Sequence, residues 1–177
     1  EKEEHPARLI KRAAGQGFLG ALAPEEPYGG AGLDFTSCTM LIEAMAAECA
    51  STALILHVHN VLALRTIVKH GSAAVQEAIV PDMIGGDRIG AFALTESGAG
   101  SDPTRLRTTA SKDGDDYVLS GTKTWVSNGG IAGVFIVFAA TDPSAGAKGL
   151  TAFVVPAEAE GVVIGGREKT LGLRGAT

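Results

Sequence analysis

The chain has 177 residues, of which 45% are hydrophobic and 20% charged, a composition that indicates a globular protein with one ordinary core or two small ones. Its formal net charge of −5 disfavours a nucleic-acid partner, because such partners select a basic surface. No uninterrupted apolar run approaches the roughly 18 residues that cross a bilayer, and residues 1–4 do not resemble a signal peptide, so we expect a cytoplasmic protein without a membrane partner.

The first half of the chain carries apolar residues at the spacing of α-helices. This spacing predicts a helix over residues 6–20. Capping residues, proline and glycine predict the boundaries of four more helices. The predicted segments begin at a cap on Thr36 or Ser37 and end near 50, begin at Ser51 or Thr52 and end at 70, and cover 72–79 and 81–86.

The two cysteines of the chain, Cys38 and Cys49, both fall in the helical half. At that separation on a helix they lie about 16 Å apart along the axis, which is too far for a disulfide. We therefore predict two buried thiols, as is usual for a protein in a reducing cytoplasm.

Two patterns in the helical half point to other chemistries, and their context argues against both. Residues 15–20 read G-x-G-x-x-G, but no apolar strand precedes them and Pro24 follows closely, so the glycines predict a helix end. His57 and His59 are two positions apart on a predicted helix. Their imidazoles would therefore point in different directions, and we expect no metal site.

After Gly86 the apolar period changes from that of a helix to that of a strand. The predicted strands are 89–95, 106–112, 117–119, 123–126, 134–140 and 150–155, with a further short strand at 162–164. Asp113-Gly114 predicts a hairpin turn between two of them. The predicted fold class is α+β, with an all-helical N-terminal domain over 1–86 and an antiparallel β-barrel-like domain over 87–177.

Two separated segments of the second half have the features of a site for a flat ring. Residues 91–102 read AFALTESGAGSD, an apolar stretch followed by a loop with hydroxyls at Thr95 and Ser101. Residues 123–128 read KTWVSN and place the only Trp of the chain, Trp125, near Ser127. Small residues let backbone N–H groups approach a ring, hydroxyls can bond its edge, and an aromatic side chain can cover its face.

These two segments, in this order, resemble the T-E-x-x-A-G-S-D and W-[IV]-[ST]-N motifs that hold FAD in the acyl-CoA dehydrogenase family. Residues 24–34 are similar to the family's P-E-E-Y-G-G-A-G-L loop with Pro27 inserted, and 169–175 are similar to its K-x-G-x-R segment. The resemblance implies a helical N-terminal domain, a β-barrel-like middle domain and a C-terminal four-helix domain, which is missing from this chain. Both ends look cut, and we expect the chain by itself to be inactive.

The resemblance implies FAD as cofactor and the α,β-dehydrogenation of an acyl-CoA thioester to the 2-enoyl-CoA, with the hydride passing to flavin N5. Backbone N–H groups at 94–95 would stabilise the negative charge of the reduced flavin, and the Ser127 hydroxyl would bond N5. Ser97 stands where the family often has Pro, and Ser127 where Thr is common, and neither change removes a donor. In the family, the position that matches Ser101 also touches the acyl-CoA. The family's FAD-contacting positions fall on Phe92, Leu94, Thr95, Gly100, Ser101, Trp125, Val126 and Ser127.

The residue that removes the α-proton of the substrate is unknown. In the family it is a Glu of the C-terminal domain, and we interpret Glu96 and Asp102 as structural. The resemblance further implies electron-transfer flavoprotein as the electron acceptor and a homodimer or homotetramer as the assembly. Two alternatives stay open, an oxidase or monooxygenase built on the same fold and a non-catalytic partner subunit of a hetero-oligomeric acyl-CoA dehydrogenase.

Overall fold

The computed structural model describes residues 6–176, and the first half of that range is helical, as predicted. The helix predicted over 6–20 ends earlier, at Gly15, and a separate 3₁₀ turn at Phe18–Gly20 follows it, which confirms that the glycines of 15–20 end a helix. Residues 1–4, which do not resemble a signal peptide, lie outside the described part of the chain. The α-helices are α1 (Ala7–Gly15), α2 (Phe35–Glu48), α3 (Ala50–His57), α4 (Arg65–His70) and α5 (Ala73–Gly85).

The starts of α2 and α3 differ from the predicted ones. The Asp34 carboxylate accepts a hydrogen bond from the Ser37 N–H at 2.7 Å, so α2 begins at residue 35 and the predicted caps at residues 36 and 37 are wrong. An extended backbone at Cys49 then separates α2 from α3, and the predicted caps at residues 51 and 52 lie inside the helix. Cys38 is buried, as predicted, whereas Cys49 is exposed at this break, which corrects the prediction of two buried thiols.

α5 is a single helix where the sequence predicted two. Ser72 caps it as predicted, because its hydroxyl accepts from the Val75 N–H at 3.3 Å. Pro81 lies inside the helix instead of starting another one. The neighbouring Val80 and Met83 are fully buried, and their packing outweighs the hydrogen bond that proline cannot donate.

A π-helical segment, Val58–Leu64, joins α3 and α4 into one helix over Ala50–His70. By length and composition alone this helix could cross a membrane, although polar residues interrupt its apolar stretches. Inside the fold, 56% of its most apolar window is buried, as in the core helix of a globular protein. The π segment carries two buried polar residues, His59 and Asn60.

The second half forms a mixed sheet, and the α+β class is confirmed. β4 (Val134–Ala140) pairs antiparallel with β5 (Leu150–Pro156) and parallel with β1 (Gly90–Ala93), while β2 (Thr109–Asp113) and β3 (Asp116–Ser120) form the predicted hairpin. The parallel pair arises because a long excursion between β1 and β4 returns the chain to the same end of the sheet. The sheet is therefore not wholly antiparallel, and it is not closed into a barrel.

Two predicted strands, 123–126 and 162–164, lie outside this sheet. Trp125 has a φ of 57°, a left-handed conformation that interrupts a strand. Val163 is 88% exposed, so the apolar spacing of 162–164 does not reflect burial in a sheet.

The helices pack on one face of the sheet, and this packing positions the loops that follow β1. Residues of the helical half and of the sheet pack together in one core, which we call the shared core. The division into two domains between residues 86 and 87 therefore stays a prediction. The opposite face buries a smaller cluster around Ala91, Ala93 and Phe135. The fully buried members of the shared core include Leu64, Ile67, Val80, Met83, Val134 and Ile136.

Candidate functional site

The structure brings together the two segments that the sequence singled out, residues 91–102 and 123–128. The Thr124 N–H donates to the Thr95 carbonyl at 2.9 Å. The Lys123 ammonium donates to a Glu96 carboxylate oxygen at 2.8 Å. The loop after β1 and the loop before β4 therefore form one surface, which we call the paired loops.

The loop after β1 is a tight turn closed by its own backbone. Glu96 and Ala99 exchange two N–H···O bonds of 3.0 Å each, which leaves Ser97 and Gly98 exposed at the tip. Gly100 and Ser101 follow and are also exposed, with open space around the Gly100 backbone. The turn thus presents small residues and a hydroxyl outward, as a surface that receives a ligand closely would require.

Asp102 ends this loop as a structural residue, as predicted. Its carboxylate accepts hydrogen bonds from the Thr104 hydroxyl at 2.5 Å and from the Thr104 N–H at 3.1 Å. These bonds hold the pKa of Asp102 below its usual value. Asp102 therefore caps the 3₁₀ turn Pro103–Arg105.

Glu96 is buried beneath the paired loops and is satisfied there. It accepts from the Arg107 N–H at 2.6 Å, the Thr108 N–H at 3.0 Å, the Thr108 hydroxyl at 2.5 Å and the Lys123 ammonium at 2.8 Å. Burial alone would raise the pKa of Glu96, but the hydrogen bonds from Lys123, Thr108 and the backbone outweigh it and lower the pKa to about 2. The prediction that Glu96 is structural agrees with this environment.

Trp125 is the most unusual residue of the paired loops. Tryptophan is large and mostly apolar, yet Trp125 is 63% exposed. Its φ of 57° is rare for a residue with a bulky side chain and costs of the order of 1–2 kcal/mol. An exposed indole held at a strained backbone position is typical of a functional site, where the surroundings impose the conformation.

Asn128 anchors the other end of the segment 123–128. It has a φ of 67°, is fully buried, and its amide donates to the Ile55 carbonyl at 3.2 Å and to the Gly90 carbonyl at 3.0 Å. Between residues 6 and 176, the side-chain amide oxygen (Oδ1) of Asn128 and the Thr124 hydroxyl are buried without a hydrogen-bond partner. Unsatisfied buried groups are uncommon, and two of them lie in this one segment.

His59 supports the start of β1 from the helical side. Gly90 donates its N–H to His59 Nδ1 at 3.0 Å, so the ring proton is on Nε2, which donates to the Leu19 carbonyl at 3.0 Å. Burial lowers the pKa of His59 to about 4, against the opposing effect of the bond to Leu19. Only a glycine fits at residue 90, since a Cβ there would lie 2.5 Å from Ala63 Cβ.

The sequence-predicted site residues divide into two groups. Phe92 and Leu94 pack their side chains into the core, so they face the surface only through their backbone. Val126 likewise packs its side chain against a core cluster. The other five, Thr95, Gly100, Ser101, Trp125 and Ser127, are partly or largely exposed on the paired loops.

Sequence reasoning missed Lys123, Asn128 and His59 as residues that build the site. Lys123 and Glu96 are 27 positions apart, and no local pattern relates them. Asn128 offered the only usable signal, because asparagine tolerates a positive φ better than most residues. His59 was expected to be structural, and its two buried hydrogen bonds confirm that role. In the described range, no three His, Cys, Asp or Glu side chains come together as a metal site.

Comparisons with known proteins agree with the resemblance. The family model described as "Acyl-CoA dehydrogenase, N-terminal domain" matches residues 1–87, and "Acyl-CoA dehydrogenase, middle domain" matches residues 91–177. The human short-chain specific acyl-CoA dehydrogenase, a mitochondrial protein, is 43% identical over 177 residues, which cover 99% of this chain and 43% of that protein.

Solved structures share the fold. A glutaryl-CoA dehydrogenase from Mycobacterium smegmatis in complex with FADH2 superposes with a TM-score of 0.89 at 32% identity, over 98% of this chain and 43% of that one. A chain solved in work on the electron transferring flavoprotein of Acidaminococcus fermentans and flavin-based electron bifurcation superposes with a TM-score of 0.94 at 33% identity, over 98% of this chain and 46% of that one.

These matches cover the helical half, the sheet and the paired loops. The chain belongs to the acyl-CoA dehydrogenase family. It spans less than half the length of these relatives.

Proposed function

We propose that the whole protein is an FAD-dependent acyl-CoA dehydrogenase, which converts an acyl-CoA thioester to the 2-enoyl-CoA. The observation that carries the proposal is the exposed, strained Trp125, whose neighbour Thr124 donates its backbone N–H to the Thr95 carbonyl. The names of the relatives support the reaction class, and the short-chain specificity of the human relative supports a short acyl chain.

The paired loops fit a flavin. An indole that packs on a flat ring would bury apolar surface that is now exposed, and the Thr95, Ser101 and Ser127 hydroxyls lie in the same two segments to bond the polar edge of the ring. Bound FAD supplies the acceptor for the hydride that leaves the substrate. Phe92, Leu94, Gly100 and Val126 would contribute backbone groups, and Ser101 would also touch the acyl-CoA.

The carboxylates of the paired loops are unsuited to remove the α-proton. Glu96 accepts hydrogen bonds on both oxygens and has a pKa of about 2, so it is a weak base at neutral pH. Asp102 is engaged with Thr104. We therefore assign the catalytic base to neither residue, and it stays unknown.

The partners of the whole protein are part of the proposal. An electron-transfer flavoprotein would accept the electrons, which is supported by the fold shared with a chain solved in work on such a flavoprotein. We further propose a homodimer or homotetramer in the cytoplasm, which follows from the family resemblance and from the composition.

The whole protein, purified with FAD, tests the proposed function. We expect about one flavin per chain and anaerobic bleaching of the flavin by a short saturated acyl-CoA such as butyryl-CoA, with the 2-enoyl-CoA found by mass spectrometry. Free butyrate is the control and should cause no bleaching. Flavin that is bound but not reduced by any acyl-CoA would contradict the dehydrogenase assignment and favour a non-catalytic subunit.

A further inference from the structure

Lys123 lies beneath the exposed surface of the paired loops, where its ammonium donates to Glu96 and to Leu94. Its side chain is 9% exposed, and its partner Glu96 is 8% exposed. A buried ion pair is costly to desolvate, and a hydrophobic pair of the same size often stabilises a fold as well. The pair therefore needs an explanation other than stability.

The second bond of Lys123 supplies that explanation. Its ammonium also donates to the Leu94 carbonyl at 3.2 Å. The carbonyl of Leu94 and the N–H of Thr95 belong to one planar trans peptide, so the two groups point in opposite directions. Holding the carbonyl of Leu94 therefore sets the direction of the Thr95 N–H.

The peptide on the other side of Thr95 is held as well. Its carbonyl accepts from the Thr124 N–H at 2.9 Å, and its N–H, on Glu96, donates to the Ala99 carbonyl at 3.0 Å. Both peptide planes that flank Thr95 are thus fixed by residues 123–124 and by the turn. A charged donor on the Leu94 carbonyl also polarises that peptide, which makes the Thr95 N–H a stronger donor.

We infer that Lys123 is a positioning residue that orients and polarises the Thr95 N–H toward the flavin, and that Glu96 holds Lys123 in place. The inference rests on the proposed function. Glu96 is suited to this role because its other contacts, to Arg107 and Thr108, come from the segment that leads into β2 and do not depend on Lys123.

Binding of FAD to the whole protein tests this role, measured as a dissociation constant by flavin fluorescence. Lys123→Met removes the cation and keeps a flexible side chain of similar length. We expect the dissociation constant to rise at least about 10-fold, as for the loss of a charge-assisted hydrogen bond. In the flavin-free protein, we also expect faster hydrogen exchange at the Thr124 amide, which bonds Thr95.

Arg88→Met is the matched control. Arg88 is also a cation that pairs with a carboxylate, Glu158, at 2.9 Å and donates to a backbone carbonyl, that of Gly133, at 3.4 Å. It touches none of the paired loops through these bonds, so its loss should change the dissociation constant less than about 2-fold.

The double variant Glu96→Gln/Lys123→Met keeps the test valid if an unpaired Glu96 unfolds the single variant. It restores neutrality without restoring the bond to Leu94, so weak FAD binding in a folded double variant supports the inference. Wild-type affinity in the double variant, or equal weakening by Arg88→Met, would overturn it. A wild-type protein that binds no FAD would instead overturn the proposed function, and the inference with it.

Discussion

The helical half and the paired loops differ in how completely their buried polar groups are hydrogen-bonded. In the helical half, Asn60 accepts from the Ala21 N–H at 3.0 Å and donates to the Phe18 and Leu56 carbonyls at 2.8 and 3.1 Å. The paired loops leave the Thr124 hydroxyl unsatisfied within the described part of the chain.

The treatment of apolar surface differs in the same way. Leu19, Leu56 and Leu64 are fully buried in the helical half, whereas Trp125 is largely exposed on the paired loops. The helical half is a fully packed core, whereas the paired loops are held by buried hydrogen bonds and expose a large apolar side chain on their outer surface. Such a surface is suited to a ligand, and the following predictions test this difference between the two regions.

The largest expected effect is on the stability of the helical half. Asn60→Ala should lower the free energy of unfolding by about 3 kcal/mol, because it leaves the buried Ala21 N–H without its acceptor and removes one hydrogen bond each from the Phe18 and Leu56 carbonyls. Urea unfolding of the flavin-free protein measures the loss. Thr124→Val is the contrasting change in the paired loops and should be neutral or stabilising, since the hydroxyl it removes has no partner within residues 6–176. Equal losses in both variants would remove the contrast.

A second prediction concerns pH and His59. Its pKa is lowered from 6.5 to about 4 in the folded chain, so the neutral ring stabilises the fold above pH 6.5 and that stability is lost as the pH falls toward 4. Between pH 7 and pH 5 the loss should be about 2 kcal/mol. Glu96 adds little in this window, because its ordinary pKa is 4.5 and its folded pKa is lower still.

Unfolding free energies measured at several pH values check the role of His59. The variant His59→Gln should be less stable at pH 7 and should lose most of the slope between pH 7 and pH 5. An unchanged slope in the variant would show that another group causes the pH dependence.

The third prediction addresses the outer surface of the paired loops. In the whole protein, Ser127→Ala should slow reduction of the flavin by an acyl-CoA about 100-fold, since the loss of one such donor costs a few kcal/mol of transition-state stabilisation. Ser127→Thr keeps the hydroxyl and should react at nearly the wild-type rate. Anaerobic stopped-flow absorbance measures both rates. Equal rates for wild type and Ser127→Ala, at equal flavin content, would mean that Ser127 only forms part of the loop.

The smallest change in stability is expected at Trp125. Trp125→Gly should leave the flavin-free protein as stable as wild type or stabilise it by about 1 kcal/mol, because glycine adopts a φ of 57° without strain. The same variant should bind FAD at least about 10-fold more weakly, because it loses the indole that would cover the ring. A loss of stability near the 3–5 kcal/mol typical of a buried Trp would place this side chain in the core instead.

Much of the fold could be predicted because it depends on local patterns. The change of apolar period after Gly86, the hairpin at Asp113-Gly114 and the strands at 134–140 and 150–155 all appear in the structure nearly where the sequence placed them. The ends of the helices were less accurate, because Asp34 and Ser37 are both good caps and only the folded loop decides between them.

The candidate site was predicted in part. The segments around Thr95 and Trp125 were recognised from their residue types, and the structure places them side by side. The strand assigned to 123–126 was wrong, because alternation of polar and apolar residues cannot reveal a positive φ at Trp125.

The sequence by itself determined which residues are small, polar or apolar, and therefore the α+β class, the family and the chemistry of the exposed groups. Only the tertiary structure decided that β1 pairs parallel with β4, that Lys123 reaches Glu96 and Leu94, and that Asn128 joins β1 to α3. These contacts connect residues far apart in the chain, and they form because burial leaves each polar group only the partners that the packing brings near it.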